Sequence, residues 1–307
     1  MKYAVTGGAG FIGSNIVKQL IKNNHQVIIL DNLHTGDLLR LEEIKNEIEF
    51  HNVDIRDKAS LKSLLSDCDG IFHEAALTIV SESFEKPEEY FDVNVNGSKN
   101  IFEIGCELNI KVVYASSSSV YGDVSKIPIS EDFPKNPINP YAQTKVDIEN
   151  LAKEFCKLNC KIIGLRYFNV FGKGQTGSYA GVITQFLKRL NQNLPLRING
   201  NGTQIRDFVF VEDVAAANLM AMENRTNRGF FNIGTGFGIS ILELAKMMIK
   251  ISKSSSSCIF DKELPGDIEK SQANIELSKQ ILGWSPSTNL NDGLSNIMKS
   301  WINLWFL

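Results

Sequence analysis

The chain has 307 residues, of which 43% are hydrophobic, and a formal net charge of −3. A chain of this length forms one large domain or two closely joined domains with a self-sufficient core. A protein built to grip nucleic-acid phosphates needs clustered positive charge, so we expect no nucleic-acid partner.

The sequence predicts a cytoplasmic protein that binds neither a membrane nor a metal. Its first residues, MKYAVTGGAGFIG, have the pattern of a strand and a glycine turn rather than of a signal peptide. No apolar run reaches the roughly 18 residues of a transmembrane helix, and WINLWFL at 301–307 is too short. The five cysteines are odd in number and lack a CxxC pair. We therefore expect free buried thiols rather than a metal site, although Cys156 and Cys160 could share a helix face.

Short β-branched segments alternate with helical segments through the first half of the chain. The predicted strands are 2–6, 27–31, 49–53, 70–75, 111–117 and 161–168, with helical patterns between them at 11–24 and 88–108. This alternation predicts an α/β fold, a doubly wound parallel sheet of the Rossmann type. After about residue 170 the pattern becomes irregular. We predict a dinucleotide-binding domain in 1–168 with a returning segment at about 208–236, and a smaller mixed region formed by 169–207 and 237–307.

A glycine-rich segment, TGGAGFIG at 6–13, joins the first predicted strand to the first predicted helix. The spacing of Gly7, Gly10 and Gly13 is typical of a turn whose backbone N–H groups approach a pyrophosphate at a helix N-terminus. Asp31 ends the second strand, 21 residues after Gly10. A carboxylate there can bind an adenosine ribose and repels a 2′-phosphate, so the sequence predicts NAD rather than NADP.

Tyr141 and Lys145 are spaced i and i+4 at the start of a predicted helix that follows Pro140. This spacing places the phenol and the ammonium on one helix face. A positive charge about 6 Å from the phenol, at an effective dielectric of about 20, favours phenolate by about 3 kcal/mol. That energy would lower the tyrosine pKa by roughly two units from its usual value near 10, toward the range of a general base.

Serine hydroxyls follow the strand KVVYA at 111–115, at the carboxyl end where ligands bind in such sheets. They occupy positions 116–119 and precede Tyr121 and Gly122. A polar strand end is a common structural feature, but its combination with the glycine loop and the tyrosine–lysine pair is specific. The three motifs together predict an enzyme site.

These motifs, in this order, resemble the extended short-chain dehydrogenase/reductase family, in particular the NAD-dependent nucleotide-sugar 4-epimerases. The resemblance also rests on DN at 31–32, DI at 54–55, HEAA at 73–76, NVNG at 94–97, RYFNVFG at 166–172, RDFVFVEDV at 206–214, NIGTG at 232–236 and PGDI at 265–268. It implies an isomerase that inverts C4 of a UDP-hexose, with Ser117, Tyr141 and Lys145 as catalytic residues. It further implies a homodimer formed through a four-helix bundle of segments 88–108 and 141–158.

The resemblance and the glycine motif together give a full set of candidate site residues. The expected NAD-binding residues are Gly7, Gly10, Phe11, Ile12, Gly13, Asp31, Asn32, Thr35, Gly36, Asp54, Ile55, Ala75, Ala76, Asn94, Tyr141, Lys145 and Phe168. The expected UDP-sugar-binding residues, most of them in the smaller region, are Ser117, Tyr141, Asn169, Gly181, Val182, Arg197, Asn199, Arg206, Asp267 and Ser271.

Three positions bear on the substrate. Family dehydratases carry an acidic residue two positions after the catalytic hydroxyl, whereas this chain has Ser119, which disfavours dehydration. Leu264 replaces the arginine that family epimerases place before the GD motif, so Arg206 is the expected diphosphate clamp. Ser271 stands where plain-hexose epimerases tend to have tyrosine and leaves room for a 2-acetamido group, unless its loop turns it to solvent.

We therefore expect a UDP-hexose 4-epimerase that also accepts UDP-N-acetylglucosamine and UDP-N-acetylgalactosamine. Three alternatives remain open. One is another nucleotide-sugar enzyme, either a UDP-glucuronate 4-epimerase or a 4,6-dehydratase. The second is a keto-sugar reductase that consumes external cofactor. The third is a non-catalytic NAD(H)-binding protein, which would have no need of the Ser117, Tyr141 and Lys145 set.

Overall fold

The computed structural model describes residues 1–175, 181–263 and 268–303, and its largest element is a parallel β-sheet. The strands in chain order are β1 Lys2–Thr6, β2 Gln26–Asp31, β3 Ile48–Asn52, β4 Gly70–His73, β5 Lys111–Ser117, β6 Ile162–Tyr167, β7 Asn169–Phe171, β8 Leu196–Asn199, β9 Ile205–Phe210, β10 Arg228–Ile233, β11 Gly238–Ser240, β12 Cys258–Asp261 and β13 Lys270–Ser271. Seven of them form the main sheet in the order β10-β6-β5-β4-β1-β2-β3, and every neighbouring pair is parallel.

Helices cover both faces of this sheet. They are α1 Phe11–Lys22, α2 Lys58–Leu65, α3 Val80–Glu85, α4 Pro87–Phe91, α5 Gly97–Glu107, α6 Pro140–Lys157, α7 Val182–Asn191, α8 Val211–Glu223, α9 Ile241–Ser252 and α10 Leu290–Asn303. Successive strand residues point to opposite faces. Val5 and Ile29 accordingly pack in one core with α1 and α8, whereas Ala4 and Ile28 pack in a second core with α2, α5 and α6. The doubly wound Rossmann sheet predicted from the sequence is confirmed.

The strands predicted in the first half of the chain agree with β1 to β6 to within two residues at each end. The helical pattern at 88–108 is interrupted. A π-helical turn, Asp92–Asn96, separates α4 from α5. Such single turns are often found at functional sites, and this one contains Asn94.

The rest of the chain forms smaller sheets and a third apolar core. Strand β9 pairs with β7 and β13 in parallel and with β11 in antiparallel, while β8 and β12 form a separate parallel pair. Helices α7, α9 and α10 pack around these strands. Helix α8 and strand β10, which lie between β9 and β11 in the sequence, return to the main sheet.

The expectation that all five cysteines are free thiols is wrong for two of them. Cys106 and Cys160 form a disulfide, with their Cα atoms 5.0 Å apart. The pairing follows from topology: β5 and β6 are neighbours, so the ends of the helices that precede them lie side by side. Cys160 lies beyond the end of α6, so it does not share a helix face with Cys156. Cys68, Cys156 and Cys258 are free.

In the described part of the chain, no helix has both the length and the apolar composition needed to cross a bilayer. Residues 1–175, 181–263 and 268–303 likewise contain no group of three or more His, Cys, Asp or Glu side chains arranged to hold a metal ion.

Candidate active site

The glycine loop is packed so closely that side chains would not fit. Gly7 has φ +66°, and a Cβ atom there would lie 2.7 Å from the Ala75 amide nitrogen. A Cβ atom on Gly13 would lie 2.2 Å from the Gly7 carbonyl oxygen. Helix α1 begins directly after Gly10, with no side-chain cap and no acidic residue in its first turn. An anion could therefore approach its N-terminal N–H groups and the positive end of its dipole.

Asp31 lies at the carboxyl end of β2 beside this loop. Its carboxylate accepts hydrogen bonds from the Ala9 amide at 3.0 Å and the Leu33 amide at 2.8 Å. A carboxylate offers about four acceptor positions, so two remain for ribose hydroxyls. Asp31 thus fixes the glycine loop and can also contact a nucleotide.

The adenosine end of the predicted site carries an ion pair that the sequence analysis missed. Arg56 donates to both carboxylate oxygens of Asp54, from Nε at 2.9 Å and from Nη2 at 2.8 Å, and Asn32 donates to the same carboxylate at 3.0 Å. The bonds from Arg56 lower the pKa of Asp54 to about 2. The sequence signal for this ion pair was the spacing of Asp54 and Arg56, two residues apart after β3.

One cleft gathers nine of the predicted NAD-binding residues. These are Gly7, Gly10, Asp31, Asn32, Thr35, Asp54, Ile55, Ala75 and Ala76. Phe11, Ile12 and Gly13 form the adjoining first turn of α1. Gly36 lies beside Asp31, since a Cβ atom added to Gly36 would be 2.6 Å from the Asp31 carboxylate. Phe168 is buried immediately after β6. Asn94 supports the site indirectly. Its side-chain amide forms hydrogen bonds with the backbone of Leu77 and donates one to the Thr144 hydroxyl.

Ser117, Tyr141 and Lys145 come together where β5 ends and α6 begins. Asn139 caps α6 by accepting a hydrogen bond from the Ala142 amide at 2.8 Å, and Pro140 occupies the first turn. The Ser117 side chain lies near enough to the Tyr141 hydroxyl to lower the Tyr141 pKa. The Lys145 ammonium lies 5.8 Å from the centre of the Tyr141 ring and donates to the Ala115 carbonyl at 2.8 Å. The three predicted catalytic side chains therefore share one site.

The electrostatics of the site differ from the sequence-based expectation. Burial raises the pKa of Tyr141, and the neighbouring Ser117 side chain opposes this rise. Burial lowers the pKa of Lys145 to about 8, against the attraction of Glu74 and Glu149. The predicted fall in the Tyr141 pKa was wrong for the protein alone, since loss of solvation has the largest effect on this phenol.

Glu74 is a second residue that the sequence analysis overlooked as an individual group. It lines the NAD cleft next to Ala75, and its Oε1 accepts a hydrogen bond from the Tyr167 hydroxyl at 2.9 Å. Burial raises the pKa of Glu74 to about 8, while Lys145 acts in the opposite direction. Its sequence signal was an acid directly after the apolar strand β4.

The candidate substrate residues divide into two groups. Asn169, Arg206 and Ser271 lie on the paired strands β7, β9 and β13, and Ser271 stands opposite Arg206 in the register. Ser271 is 7% exposed, so the alternative that its loop turns it to solvent is wrong.

The remaining candidates are more dispersed. Arg197 and Asn199 lie on β8, where the exposed Arg197 pairs with Asp261 at 3.7 Å. Gly181 and Val182 begin α7. Asp267 and Leu264 lie outside the described residues.

A buried carboxylate joins the segments around these candidate substrate residues. Asp207 accepts hydrogen bonds from the amides of Thr235 at 2.7 Å, Gly236 at 3.0 Å and Ala273 at 3.0 Å. It therefore joins β9 to the loop after β10 and to the chain beyond Ser271. The sequence analysis used this residue only as part of a motif.

Comparisons with known proteins agree with this geometry. The NAD dependent epimerase/dehydratase family matches residues 3–234. A UDP-glucose 4-epimerase of Lactobacillus helveticus is 33% identical over 321 residues, covering 97% of this chain and 96% of that protein. A Thermotoga maritima UDP-glucose 4-epimerase solved with UDP-glucose matches with a TM-score of 0.94 and 32% identity, covering 99% of this chain and 100% of that one. A Methanobrevibacter ruminantium UDP-N-acetylglucosamine 4-epimerase, solved with UDP-N-acetylmuramic acid, matches with a TM-score of 0.94 and 33% identity, covering 99% and 98%.

Proposed function

The chain belongs to the NAD dependent epimerase/dehydratase family, and on that premise we propose that it is a UDP-hexose 4-epimerase. The observation that carries the proposal is the grouping of Ser117, Tyr141 and Lys145 at the end of β5, beside the NAD cleft. Relatives and structural neighbours that are UDP-sugar 4-epimerases support it over nearly the whole chain.

The residues of the cleft fit NAD. The side-chain-free cradle of Gly7 and Gly13 and the uncapped start of α1 would hold the pyrophosphate. Asp31 would bind the adenosine ribose, and Asp54 with Ile55 would flank the adenine. Bound NAD would take up a hydride from C4 and return it, and its oxidised ring would add a positive charge to the site.

Tyr141 acts as the general base toward the sugar 4-hydroxyl. Its phenolate removes the hydroxyl proton as C4 is oxidised and returns a proton to the 4-oxygen as C4 is reduced. Ser117, which lies beside Tyr141, donates to the same sugar oxygen. Lys145 supplies the positive charge that supports the phenolate and binds the nicotinamide ribose. Inversion follows when the 4-keto sugar presents its opposite face before reduction.

We also propose that N-acetylated sugars are accepted. Ser271 is small and buried, and it pairs in register with Arg206, the expected diphosphate clamp. A serine in a closely packed interior leaves volume that a tyrosine would fill. The related UDP-N-acetylglucosamine 4-epimerase structure supports this assignment.

The 4,6-dehydratase alternative has less support than the epimerase. Ser119 stands where family dehydratases place an acid. Its hydroxyl is buried without a hydrogen-bond partner among the described residues, and a hydroxyl is a poor base for removing a proton from carbon.

We further propose that 169–207 and 237–307 form the substrate-binding region. Helices α5 and α6, which pack together, would form the four-helix bundle of a cytoplasmic homodimer.

The proposal is tested by incubating the purified protein with UDP-glucose or UDP-N-acetylglucosamine, without added cofactor. Proton NMR resolves the anomeric and H4 signals of C4 epimers and of a 4-keto-6-deoxy product. We expect UDP-galactose and UDP-N-acetylgalactosamine to form. Conversion of UDP-glucose alone would contradict the N-acetyl assignment, and a 4-keto-6-deoxy product would contradict epimerisation.

A further inference from the structure

A buried ion pair without a role in the mechanism above lies next to the catalytic group. Glu149 on α6 and Arg166 on β6 are 0% and 2% exposed. Arg166 donates from Nε to Glu149 Oε1 and from Nη2 to Oε2, each at 2.8 Å. Lys135 from the loop before α6 also contacts this carboxylate. Two parallel bonds fix the plane of the carboxylate as well as its position.

Glu149 binds the strand residue that directly precedes Ser117. The Ser116 hydroxyl donates to Glu149 Oε1 at 2.6 Å, and both groups are buried. One helical turn earlier, Lys145 donates to the Ala115 carbonyl. Two consecutive turns of α6 therefore hold the last residues of β5.

Arg166 binds the segment that follows Ser117. Its Nη1 donates to the Tyr121 hydroxyl at 2.7 Å, and that hydroxyl donates to Asn232 Oδ1 at 2.7 Å. Tyr121 ends the 3-10 turn that begins directly after Ser117. The chain is thus tied to one ion pair on both sides of Ser117, through Ser116 before it and Tyr121 after it.

We propose that the Glu149–Arg166 pair is a positioning element that holds Ser117 in place beside Tyr141 and Lys145. The consequence for turnover rests on the proposed 4-epimerase function. Neither side chain touches the reacting atoms. The pair acts by fixing the two flanks of a serine whose hydroxyl must meet both Tyr141 and the sugar oxygen. Small misplacements of such groups lower turnover strongly.

Replacing Glu149 itself would leave Arg166 buried without its anion and could unfold the protein. The test therefore uses Ser116→Thr and Ser116→Val, which have nearly the same shape and differ in the hydroxyl that Glu149 binds. Tyr121→Phe tests the other flank by removing only a hydroxyl. Asp213→Asn is the control, since this buried carboxylate on α8 accepts from Ser287 and Thr288 away from the site.

We expect kcat with UDP-glucose to be about tenfold lower for Ser116→Val than for Ser116→Thr, with KM within about twofold. Tyr121→Phe should lower kcat in the same way. The control should lose thermal stability but keep its kcat. Equal kcat values for the valine and threonine variants, or a fall in kcat matched by the control at equal loss of stability, would overturn the proposal.

Crystal structures of the two Ser116 variants separate this inference from the proposed function. Ser116→Thr should keep Ser117 in its wild-type position beside Tyr141, and Ser116→Val should displace it. This result is independent of any substrate. If the wild-type protein does not epimerise UDP-sugars, the proposed function fails while the crystal structures still decide the positioning role. An unchanged position of Ser117 relative to Tyr141 in Ser116→Val would overturn that role.

Discussion

The Tyr141 hydroxyl is the single group on which the proposed chemistry depends most directly. It lies beside Ser117 and on the same helix face as Lys145. Burial raises its pKa, so the protein alone does not make it a strong base at neutral pH. The positive charges of Lys145 and of oxidised NAD must together favour the phenolate.

Removing this hydroxyl should abolish most of the activity. We expect Tyr141→Phe to lower kcat for UDP-glucose by about 10²- to 10⁴-fold, because general acid–base catalysis contributes about that much. KM should change little, since the UDP part of the substrate is bound elsewhere. Tyr3→Phe, the same change at a buried position on β1, is the control. Steady-state kinetics that show comparable kcat values for the two variants would contradict the assignment.

Glu74 gives the site a pH-dependent stability. Burial raises its pKa from 4.5 to about 8. The folded protein therefore holds a proton that the unfolded chain has released, and stability falls as pH rises between these two values. This carboxyl was hidden in the sequence because only the fold places Tyr167 and Lys145 against it.

Glu74→Gln should remove this dependence, because the amide does not titrate. We expect the Tm of Glu74→Gln minus that of the wild type to increase as the pH rises from 5 to 7. In a chain of 307 residues, a gain of about 1 kcal/mol corresponds to roughly 1.5 °C. Glu88→Gln, at an exposed position on α4, serves as the control and should follow the wild type. A constant Tm difference between Glu74→Gln and the wild type across this range would show that Glu74 does not hold a proton in the folded protein.

At the scale of elements, the β1–glycine loop–α1 unit was predictable because its requirements are local. The loop demands residues without side chains, and a strand and a helix flank it in sequence. The same holds for α6, whose start is set by Asn139 and Pro140. Strands β7, β11 and β13 have only two or three residues, so no periodicity could reveal them.

A side chain at Gly13 should destroy the NAD site. The Cβ atom of Gly13→Ala would lie 2.2 Å from the Gly7 carbonyl oxygen, so the loop must move. We expect purified Gly13→Ala to contain less than about a tenth of the NAD found in the wild type, a loss of about 1.4 kcal/mol or more in binding. Lys22→Ala, at the far end of the same helix, should retain its NAD. Full NAD content in Gly13→Ala, measured after acid release, would refute the assignment of this loop.

The disulfide depends on the contact between two elements that are distant in sequence. Cys106 and Cys160 are 54 residues apart and meet only because β5 and β6 are adjacent. Cysteine spacing alone could not predict this pairing. Glu149 and Arg166 likewise come from different elements, α6 and β6, so the sequence alone did not predict their ion pair.

Thiol titration of the denatured protein tests the disulfide. We expect three reactive thiols per chain without reductant, from Cys68, Cys156 and Cys258, and all five after reduction. Cys106→Ser should lose about 2–4 kcal/mol of unfolding free energy, because the unfolded chain is no longer constrained. Cys68→Ser is the matched control for thiol content. Five thiols without reductant would show that the bond does not form.

At the scale of the whole molecule, the fold places the cleft proposed for NAD at the carboxyl ends of the strands of the main sheet. The cleft lies at the carboxyl ends of β1, β2 and β4, where the strand order reverses on either side of β1. The alternating sequence pattern predicted this sheet, because parallel strands and their crossover helices repeat regularly. The smaller region lacks such a repeat, so its sheets emerged only from the structure.

The most direct test of the proposed function follows the hydrogen at C4. The protein is incubated with UDP-glucose in D₂O without added cofactor, and the product is analysed by proton NMR and mass spectrometry. The account predicts UDP-galactose that retains protium at C4, because the hydrogen removed from C4 as a hydride is returned to it without exchange. Deuterium at C4 would indicate proton abstraction from carbon, and either that result or the absence of UDP-galactose would contradict the account.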